Sequence, residues 1–333
     1  MKRFFRVFAT LLLLAIITGI GAIYALPKWP ATISPDGLTV LVMRGAPLSR
    51  VANEIAKQGA APAWVVSAVA RIRGSATKIR AGQYVFKAPQ TVEEILDAIE
   101  SGESVQVPVT VVEGSKQSEL FTLLKTLTTE SQQFAAESVA PPAQWAKAIS
   151  ADTENLEGFL FPDTYFVAPG GSATSLLSIM HKRMKQELAT AWEQRAPDTP
   201  LKTPYEALIL ASIIEKETGK DTDRPLIGSV FVNRLRIGMR MQTDPTVIYG
   251  LGETFDGNLR KVHLQTDTPY NTYTREGLPP TPIAYPGRAS LRAAVNPPKS
   301  EFLYFVARGD GTSEFSKNLA EHNRAVAKFQ LGK

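Results

Sequence analysis

A long apolar run near the start of the chain is its first strong pattern. No residue from 7 to 26 is charged, whereas Lys2, Arg3 and Arg6 precede the run. Twenty such residues span the hydrocarbon core of a bilayer as a helix, and basic residues before the span favour a cytoplasmic N-terminus. The pattern predicts a cytoplasmic tail at 1–6 and a single-pass transmembrane anchor at 7–26.

A cleaved signal peptide is the alternative interpretation of this run. The apolar region of a signal peptide is about 7–15 residues long and precedes a small-x-small cleavage site. This run is longer, and no clean Ala-x-Ala follows it, which favours an uncleaved anchor in a bacterial inner membrane. The chain from residue 28 onwards is then expected outside the cytoplasm, on the periplasmic side.

Short strand and helix patterns alternate in the next part of the chain. A Pro-rich stretch at 27–37 predicts a linker. Within 38–104, the patterns predict a strand at 39–43, a helix at 47–57, a second helix that ends at Gly74, and another short strand. This order predicts a βααβ module.

Helical patterns dominate much of the remaining sequence. Thr91 opens a capping box before a helix that Gly102 ends. The chain is mostly helical from about 115 to 240, and from 240 to 300 it is irregular and rich in Pro and Gly. An Asp-Gly hairpin and a helix that starts at Asn318 close the sequence.

These elements define the predicted fold class. We predict an α+β protein with an N-terminal transmembrane helix, the βααβ module, and a mixed α+β domain at 105–333 that carries a candidate catalytic glutamate on a helix.

Composition narrows the possible chemistry. The 37 basic and 32 acidic residues give a net charge of +5 without a Lys/Arg-rich stripe, so nucleic acid is not an expected partner. The absence of cysteine excludes disulfides and thiolate chemistry. No P-loop, GxGxxG, HExxH or GxSxG motif is present, and the histidines are far apart: His181, His263 and His322. We therefore expect no metal and no cofactor.

The helix in "KTPYEALILASIIEKETGK" has clear signals at both ends. Thr203 is a good N-cap, Pro204 suits the first helical position and Glu206 completes a capping box. Gly219 is a natural stop. A glutamate near the end of this helix is therefore not in a frayed tail.

Two glutamates lie in the last turn of this helix. Glu215 lies at the edge of the expected core-facing stripe, beside small and apolar residues, and a half-buried carboxyl there could act as a general acid. Glu217 is two residues further on, about 200° around the helix, so the two carboxyls are not expected to share a pocket. The expected stripe consists of Ala207, Leu210, Ala211 and Ile214.

The irregular segment after residue 240 is rich in side chains that bind sugars. Prolines stiffen it, and long ordered loops inside a domain are often functional. This composition suits a carbohydrate groove, although a structural surface loop is the alternative. Its hydroxyl, amide and carboxyl groups are Gln242, Thr243, Asp244, Asn271 and Thr272, and its aromatic rings are Tyr249, Tyr270, Tyr273 and Tyr285.

Several of these stretches resemble a known family. "LASIIEKET", "VFVNRLRIGMRMQTDPTVIYG", "PYNTYTREGLPPTPIAYPG", "LYFVARGDGTSEFSKNLAEHN" and "LEGFLFPDTY" are similar to the endolytic murein transglycosylases, the MltG or YceG-like family. The resemblance covers nearly the whole chain. The βααβ order at 38–104 is in turn similar to a LysM module, which binds glycan in other proteins.

The resemblance implies a specific reaction. Glu215 would be the single acid/base of a peptidoglycan lytic transglycosylase, cutting the β-1,4 bond between N-acetylmuramic acid and N-acetylglucosamine without water. It would protonate the leaving oxygen and then accept the proton of the muramyl C6 hydroxyl, which leaves a 1,6-anhydro end. Peptidoglycan strands are the implied substrate, and peptidoglycan synthases are candidate partners in cell wall assembly.

The remaining predicted site residues have lesser roles. Glu217 is expected to support the site, and the predicted substrate contacts are Gln242, Thr243, Asp244, Asn271, Tyr273 and Glu157.

Two alternative functions are also compatible with the sequence. A two-carboxylate muramidase would use Glu157, Asp163 or Asp244 as a second acid and produce reducing ends. A membrane-tethered scaffold without catalytic activity would bind glycan through its LysM-like part, and it would function without Glu215.

Overall fold

The computed structural model describes residues 2–43, 45–131, 134 and 139–332, which fall into two compact units. Unit 1 comprises Met1–Val109, Leu124–Val139 and Tyr165–Ala173. Unit 2 comprises Thr110–Leu123, Ala140–Thr164 and Thr174–Lys333. Met1 of the predicted tail, Arg44 of the predicted module, and residues 132–133, 135–138 and 333 of the predicted catalytic domain lie outside the described residues.

Unit 1 begins with helix α1, Lys2–Ala25. Its stretch Arg6–Ala25 is the one helix among the described residues that is long and apolar enough to cross a membrane, with a mean hydropathy of 2.3. The side chains along this stretch are exposed, which is the arrangement that a lipid-facing helix requires.

The predicted βααβ order is observed in unit 1. Strands β2, Leu38–Val42, and β3, Gly82–Phe86, pair antiparallel, with Leu38 opposite Phe86. Between them lie helices α2, Leu48–Lys57, and α3, Ala63–Arg73. Helix α4, Val92–Ser101, follows with the predicted capping box at Thr91 and its stop at Gly102. The inward faces of these elements form one apolar core.

The predicted linker at 27–37 is not a free spacer. Strand β1, Pro30–Ala31, pairs with β4, Gln90–Thr91. The carbonyl oxygens of Pro27 and Trp29 accept hydrogen bonds from Glu93 and Val92, at 3.1 and 2.9 Å. The Pro-rich composition suggested a spacer, but prolines are also tolerated in short edge strands.

The remaining elements are mostly helical and belong mainly to unit 2, and two strand pairs complete the described chain, the second of them antiparallel. The strands are β5, Val107–Thr110, paired with β6, Thr164–Val167, and β7, Tyr304–Ala307, paired with β8, Ser313–Ser316. The helices are α5, Gln117–Ser131; α6, Trp145–Ala148; α7, Ala173–Glu193; α8, Pro204–Glu217; α9, Arg224–Arg236; α10, Asp244–Leu251; α11, Lys261–Gln265; α12, Arg288–Val295; and α13, Leu319–Phe329.

Helix α8 is the centre of unit 2. It packs against α9, α10 and α12, and every residue from 207 to 214 is buried. The predicted core-facing stripe of Ala207, Leu210, Ala211 and Ile214 is buried as expected, and the burial extends to the residues between them because neighbouring helices cover α8 on several sides. Thr203 caps its start as predicted, accepting from the amide of Glu206 at 3.1 Å. The helix ends at Glu217, with extended Thr218 rather than Gly219 as its C-cap.

Candidate active site

Glu215 lies in the last turn of α8, and its side chain is only 5% exposed. One carboxylate oxygen, Oε2, accepts a hydrogen bond of 2.8 Å from the backbone amide of Gly287. The other, Oε1, lies 3.5 Å from Nη2 of Arg224. A backbone amide and a guanidinium both stabilise the ionised carboxyl. The buried acid thus has partners suited to holding it after it has given up a proton.

A short loop brings Gly287 to α8. The amide of Ile283 donates to Oγ of Ser212 at 3.0 Å, and Ser212 in turn donates to the carbonyl of Ile209. Gly287 is the N-cap of α12, so Glu215 also lies at the positive end of a helix dipole. Sequence patterns missed α12, since its eight residues lie between the prolines of "PGRASLRAAVNPP".

Arg224 was not identified from the sequence. It is the first residue of α9, and its side chain is 7% exposed. Its Nη1 also pairs with Asp221, and among the described residues its buried Nε has no hydrogen-bond partner. Arg224, in "DRP", follows Glu215 by nine residues. This short separation is the sequence signal that could have linked the two residues. A buried arginine needs an anionic neighbour, and Glu215 is a natural one.

Glu113 is a second carboxyl that the sequence did not reveal. A Cβ atom placed on Gly287 would lie 1.8 Å from Oε1 of Glu113, so this carboxyl is packed against the residue whose amide holds Glu215. Burial raises the pKa of Glu113, and the negative charge of Glu215 raises it further, while Arg224 opposes the shift. Glu113 precedes Glu215 by 102 positions in the chain, which is why no local pattern joined them.

Glu217 has separate partners, as the helix geometry predicted. It accepts a hydrogen bond from the hydroxyl of Thr243. Burial raises the pKa of Glu217 to about 7, with a smaller contribution from the charge of Asp244. Glu217 is therefore not a freely solvated residue, and its predicted supporting role can be understood as holding the segment that begins at Thr243.

The segment around Thr243 is organised by buried hydrogen bonds. The amides of Gln242 and Thr243 donate to Thr272, through its carbonyl and its Oγ1, both at 3.1 Å. Asn271 is fully buried. Its side-chain amide donates to the carbonyls of His263, Leu264 and Thr266, and its Oδ1 accepts from the amide of Tyr273.

The predicted substrate contacts therefore divide into two groups. Gln242 and Asp244 are exposed, and the hydroxyl of half-buried Tyr273 donates to Asp244. Gln242 has φ of +49°, an unusual conformation for a non-glycine residue that occurs often at functional sites. Thr243 and Asn271 are buried with internal partners, an arrangement that favours organisation of the loop over contact with a substrate.

Glu157 is buried too, at 6% exposure. Its Oε1 accepts from the amide of Gln117 at the start of α5, at 3.0 Å, and its Oε2 accepts from the hydroxyl of Tyr249 at 3.3 Å. Burial raises the pKa of Glu157 to about 7. These bonds join the start of α5 to α10. The geometry of Glu157 therefore favours a structural role over the predicted contact with substrate.

The candidate second acids of a hydrolase lie at different places. Asp163 is exposed, and its charge contributes to the raised pKa of Glu113. Asp244 lies on the side of Glu217, and Glu157 is buried beneath α5. Within the residues that the structure describes, no three His, Asp or Glu side chains gather as metal ligands.

Known proteins resemble this chain in sequence. A model of the YceG-like family matches residues 40–328. A Bacillus subtilis protein named endolytic murein transglycosylase is 42% identical over 175 residues, which cover 52% of this chain and 48% of the relative. A Streptococcus pneumoniae protein of the same name is 26% identical over 320 residues, which cover 87% of this chain and 58% of the relative. The chain thus matches only 48% and 58% of the length of these curated relatives.

The fold has a counterpart as well. The crystal structure of a YceG-like protein from Listeria monocytogenes superposes with a TM-score of 0.51 at 28% identity, covering 87% of this chain and 99% of that one. The family model extends over most of both units, including all the residues around Glu215. The chain belongs to the YceG-like family.

Proposed function

We propose that the protein is a membrane-anchored endolytic transglycosylase that cuts the glycan strands of peptidoglycan and leaves 1,6-anhydro ends. Membership of the YceG-like family and the names of the two curated relatives support this reaction class. The observation that carries it is Glu215, a buried carboxyl held by the amide of Gly287 and facing Arg224. No other described carboxyl has both an amide and a buried arginine as partners in this way.

In the proposed mechanism, Glu215 acts twice. Its protonated carboxyl first gives a proton to the glycosidic oxygen as the bond from C1 to that oxygen breaks. The carboxylate then accepts the proton of the muramyl C6 hydroxyl while O6 bonds to C1, so the proton balance closes on the same residue. Gly287 and Arg224 stabilise the carboxylate between these two steps. Because the substrate supplies its own nucleophile, the mechanism needs one catalytic carboxyl and no water.

The products provide the direct test. The full-length protein in detergent micelles is incubated with uncrosslinked peptidoglycan strands, and the fragments are identified by mass spectrometry. Anhydro-muramyl ends are expected, and they should be lost in Glu215→Gln. Fragmentation that persists unchanged in Glu215→Gln would leave the glycan-binding scaffold, or a different catalytic centre, as the better description.

A two-carboxylate muramidase remains the second candidate, because Glu113 lies close to Glu215 and exposed Asp163 lies near Glu113. An inverting hydrolase separates its carboxyls by about 6.5–9.5 Å to fit a water molecule. Its products would carry reducing ends, heavier than anhydro ends by one water. The same mass spectra therefore distinguish the two reactions.

Position in the cell forms part of the proposal. Helix α1 is compatible with a membrane anchor, and we place its N-terminus in the cytoplasm and both units on the periplasmic side because of the basic residues before the span. Newly made glycan is produced at that surface, so peptidoglycan synthases are the proposed partners. Binding of glycan by the LysM-like part of unit 1 also remains a proposal.

A further inference from the structure

The surroundings of Glu113 suggest a function that the single-carboxyl mechanism does not use. Glu113 follows β5, in a segment whose backbone is fixed on both sides. The amide of Val111 donates to the carbonyl of Asp163 at 3.0 Å, and the amide of Gly114 donates to the carbonyl of Tyr285 at 2.9 Å. Tyr285 donates back to the carbonyl of Ser115 at 2.8 Å. The position of Glu113 next to Gly287 is thus built into the fold.

The carboxyl of Glu113 is packed against Gly287, yet the residue remains accessible to solvent. Its Oε1, Cδ and Cγ all lie within 3.0 Å of the place where a Cβ of residue 287 would be, yet the residue as a whole is exposed. The segment also runs directly past Glu215, since a Cβ on Gly114 would lie 3.7 Å from its Cγ. Glu113 is therefore both a neighbour of Glu215 and accessible from solvent.

Charge balance at this place is unusual. Two carboxyls, Glu113 and Glu215, share the surroundings of one buried guanidinium, Arg224, which also pairs with Asp221. The Nε of Arg224 is buried and, among the described residues, has no hydrogen-bond partner. With one cation among several carboxyls, ionising Glu113 is costly, because burial and the negative charge of Glu215 both raise the pKa of Glu113.

We propose that Glu113 is a positioning residue whose carboxylate charge tunes Glu215 through the catalytic cycle. While Glu215 holds the proton, Glu113 is the carboxylate that neutralises Arg224. When Glu215 gives its proton to the glycosidic oxygen, two neighbouring carboxylates result, and their repulsion strengthens Glu215 as the base that takes the C6 hydroxyl proton. The raised pKa of Glu113 agrees with such coupling. This inference rests on the proposed role of Glu215.

Other charged groups lie near Glu113 and Glu215 and contribute to the electrostatic potential at the two carboxyls. Lys216, on α8, donates to the carbonyl of Gly114 at 3.1 Å. Asp163 precedes β6 and acts on both Glu113 and Arg288. Arg288, at the start of α12, is bound to Glu187 of α7, so it is not the principal counterion of Glu113.

The first test compares Glu113→Gln with the wild-type full-length protein in detergent micelles, on uncrosslinked peptidoglycan strands from pH 4 to 9. We expect kcat to fall by about tenfold or more while KM changes little. Loss of the neighbouring charge should move the alkaline limb of the pH–activity profile to lower pH by about one unit. A residue that merely supports the fold would lower activity without moving the profile.

A second variant displaces the Glu113 carboxyl without removing it. In Gly287→Ala the new Cβ would meet Oε1 of Glu113, whereas the amide that binds Glu215 remains, and the φ of −80° at this position accepts alanine. The profile should shift in the same direction as in Glu113→Gln. The double variant should lose little more than either single one, because both remove the same interaction.

Two controls separate the possible failures. Glu253→Gln, at an exposed position after α10, should leave kcat and the pH profile unchanged, and thermal unfolding reports whether each variant is folded. If the wild type makes anhydro ends and Glu215→Gln is inactive, but folded Glu113→Gln keeps the wild-type profile, the inference about Glu113 is wrong and the proposed function stands. If the wild type makes no anhydro ends, the proposed function itself fails, and the inference about Glu113, which rests on it, fails with it.

Discussion

At the scale of single residues, Glu215 and Glu217 offer a matched pair of carboxyls. They lie in the same helical turn of α8, but Glu215 is held by Gly287 and Arg224, whereas Glu217 is bound by Thr243. Replacing either by glutamine keeps the shape of the side chain and removes its charge. Any difference between the two variants therefore reports on the surroundings of each carboxyl.

We expect Glu215→Gln to lower the rate of glycan cleavage by about 10²–10⁴-fold, since a carboxamide cannot deliver the proton to the leaving oxygen. Glu217→Gln should lose less than about tenfold, since an amide oxygen can still accept the hydroxyl of Thr243 and general acid/base help is not removed. Rates are measured on peptidoglycan strands with protein of confirmed thermal stability. An inactive Glu217→Gln beside an active Glu215→Gln would overturn the catalytic assignment.

Glu157 predicts a dependence of stability on pH. Burial raises its pKa from 4.5 in the unfolded chain to about 7 in the folded protein, so the folded state binds this proton more tightly. The free energy of unfolding should therefore fall as pH rises from about 4.5 towards 7, by at most about 3 kcal/mol, and level off above that.

The check is Glu157→Gln, which stays neutral and can still accept from Gln117 and donate to Tyr249. Its stability should decline less than that of the wild type between pH 5 and 7, as measured by thermal unfolding at each pH. Glu217 titrates in the same range, so part of the wild-type slope should remain. Parallel slopes for the two proteins would show that Glu157 is not held in a protonated state.

At the scale of elements, the contact between α9 and α12 determines where Gly287 lies. A Cβ on Gly228 would approach the carbonyl oxygen of Ala293 to 2.3 Å, so glycine allows the two helices to meet closely. In an ordinary helix interior, Gly→Ala stabilises by about 0.5–1 kcal/mol. We expect Gly228→Ala instead to lower the melting temperature and to reduce activity, since α12 must move. Gly219→Ala, with open space around its Cβ, is the control and should unfold like the wild type.

The loop that carries Asn271 should separate structural from functional side chains. Asn271→Ala removes bonds to three backbone carbonyls, and each loss typically costs about 0.5–1.5 kcal/mol, so a clear drop in melting temperature is expected. Gln242→Ala and Asp244→Ala alter exposed residues and should lower kcat with little change in melting temperature. If the exposed variants unfold early while Asn271→Ala does not, the division of the loop into these two groups is incorrect.

Much of the local structure could be predicted because its signals are local. The caps at Thr91, Thr203 and Asn318 are where the sequence indicated. The neighbours of Glu215 could not be found in this way. Gly287 and Glu113 reach it from 72 and 102 residues away in the chain, and tertiary packing alone brings them together. Helix α12 was missed because its flanking prolines resemble those of a loop, whereas its stability comes from packing on α8 and α9.

At the scale of the whole molecule, the proposed orientation of the chain across the membrane leads to a direct prediction. A C-terminal reporter enzyme that works only in the cytoplasm should be inactive in the full-length chain, and one that works only outside should be active. Replacing Lys2, Arg3 and Arg6 with neutral residues should weaken this asymmetry, because positive charges before the span set its orientation. Activity of the cytoplasmic reporter in the unaltered chain would contradict the proposed anchor orientation.

The chain has no spacer after α1, which restricts how far unit 1 can move from the anchor helix. A flexible tether of n residues reaches up to about 3.3–3.6 Å × n from its anchor. In this chain, α1 ends at Ala25, and the carbonyl of Pro27, only two residues later, already accepts a hydrogen bond from the amide of Glu93. With α1 in the bilayer, unit 1 diffuses sideways in a thin layer at the surface. On the proposed function, the glycan that unit 1 meets would then be the material nearest the membrane surface.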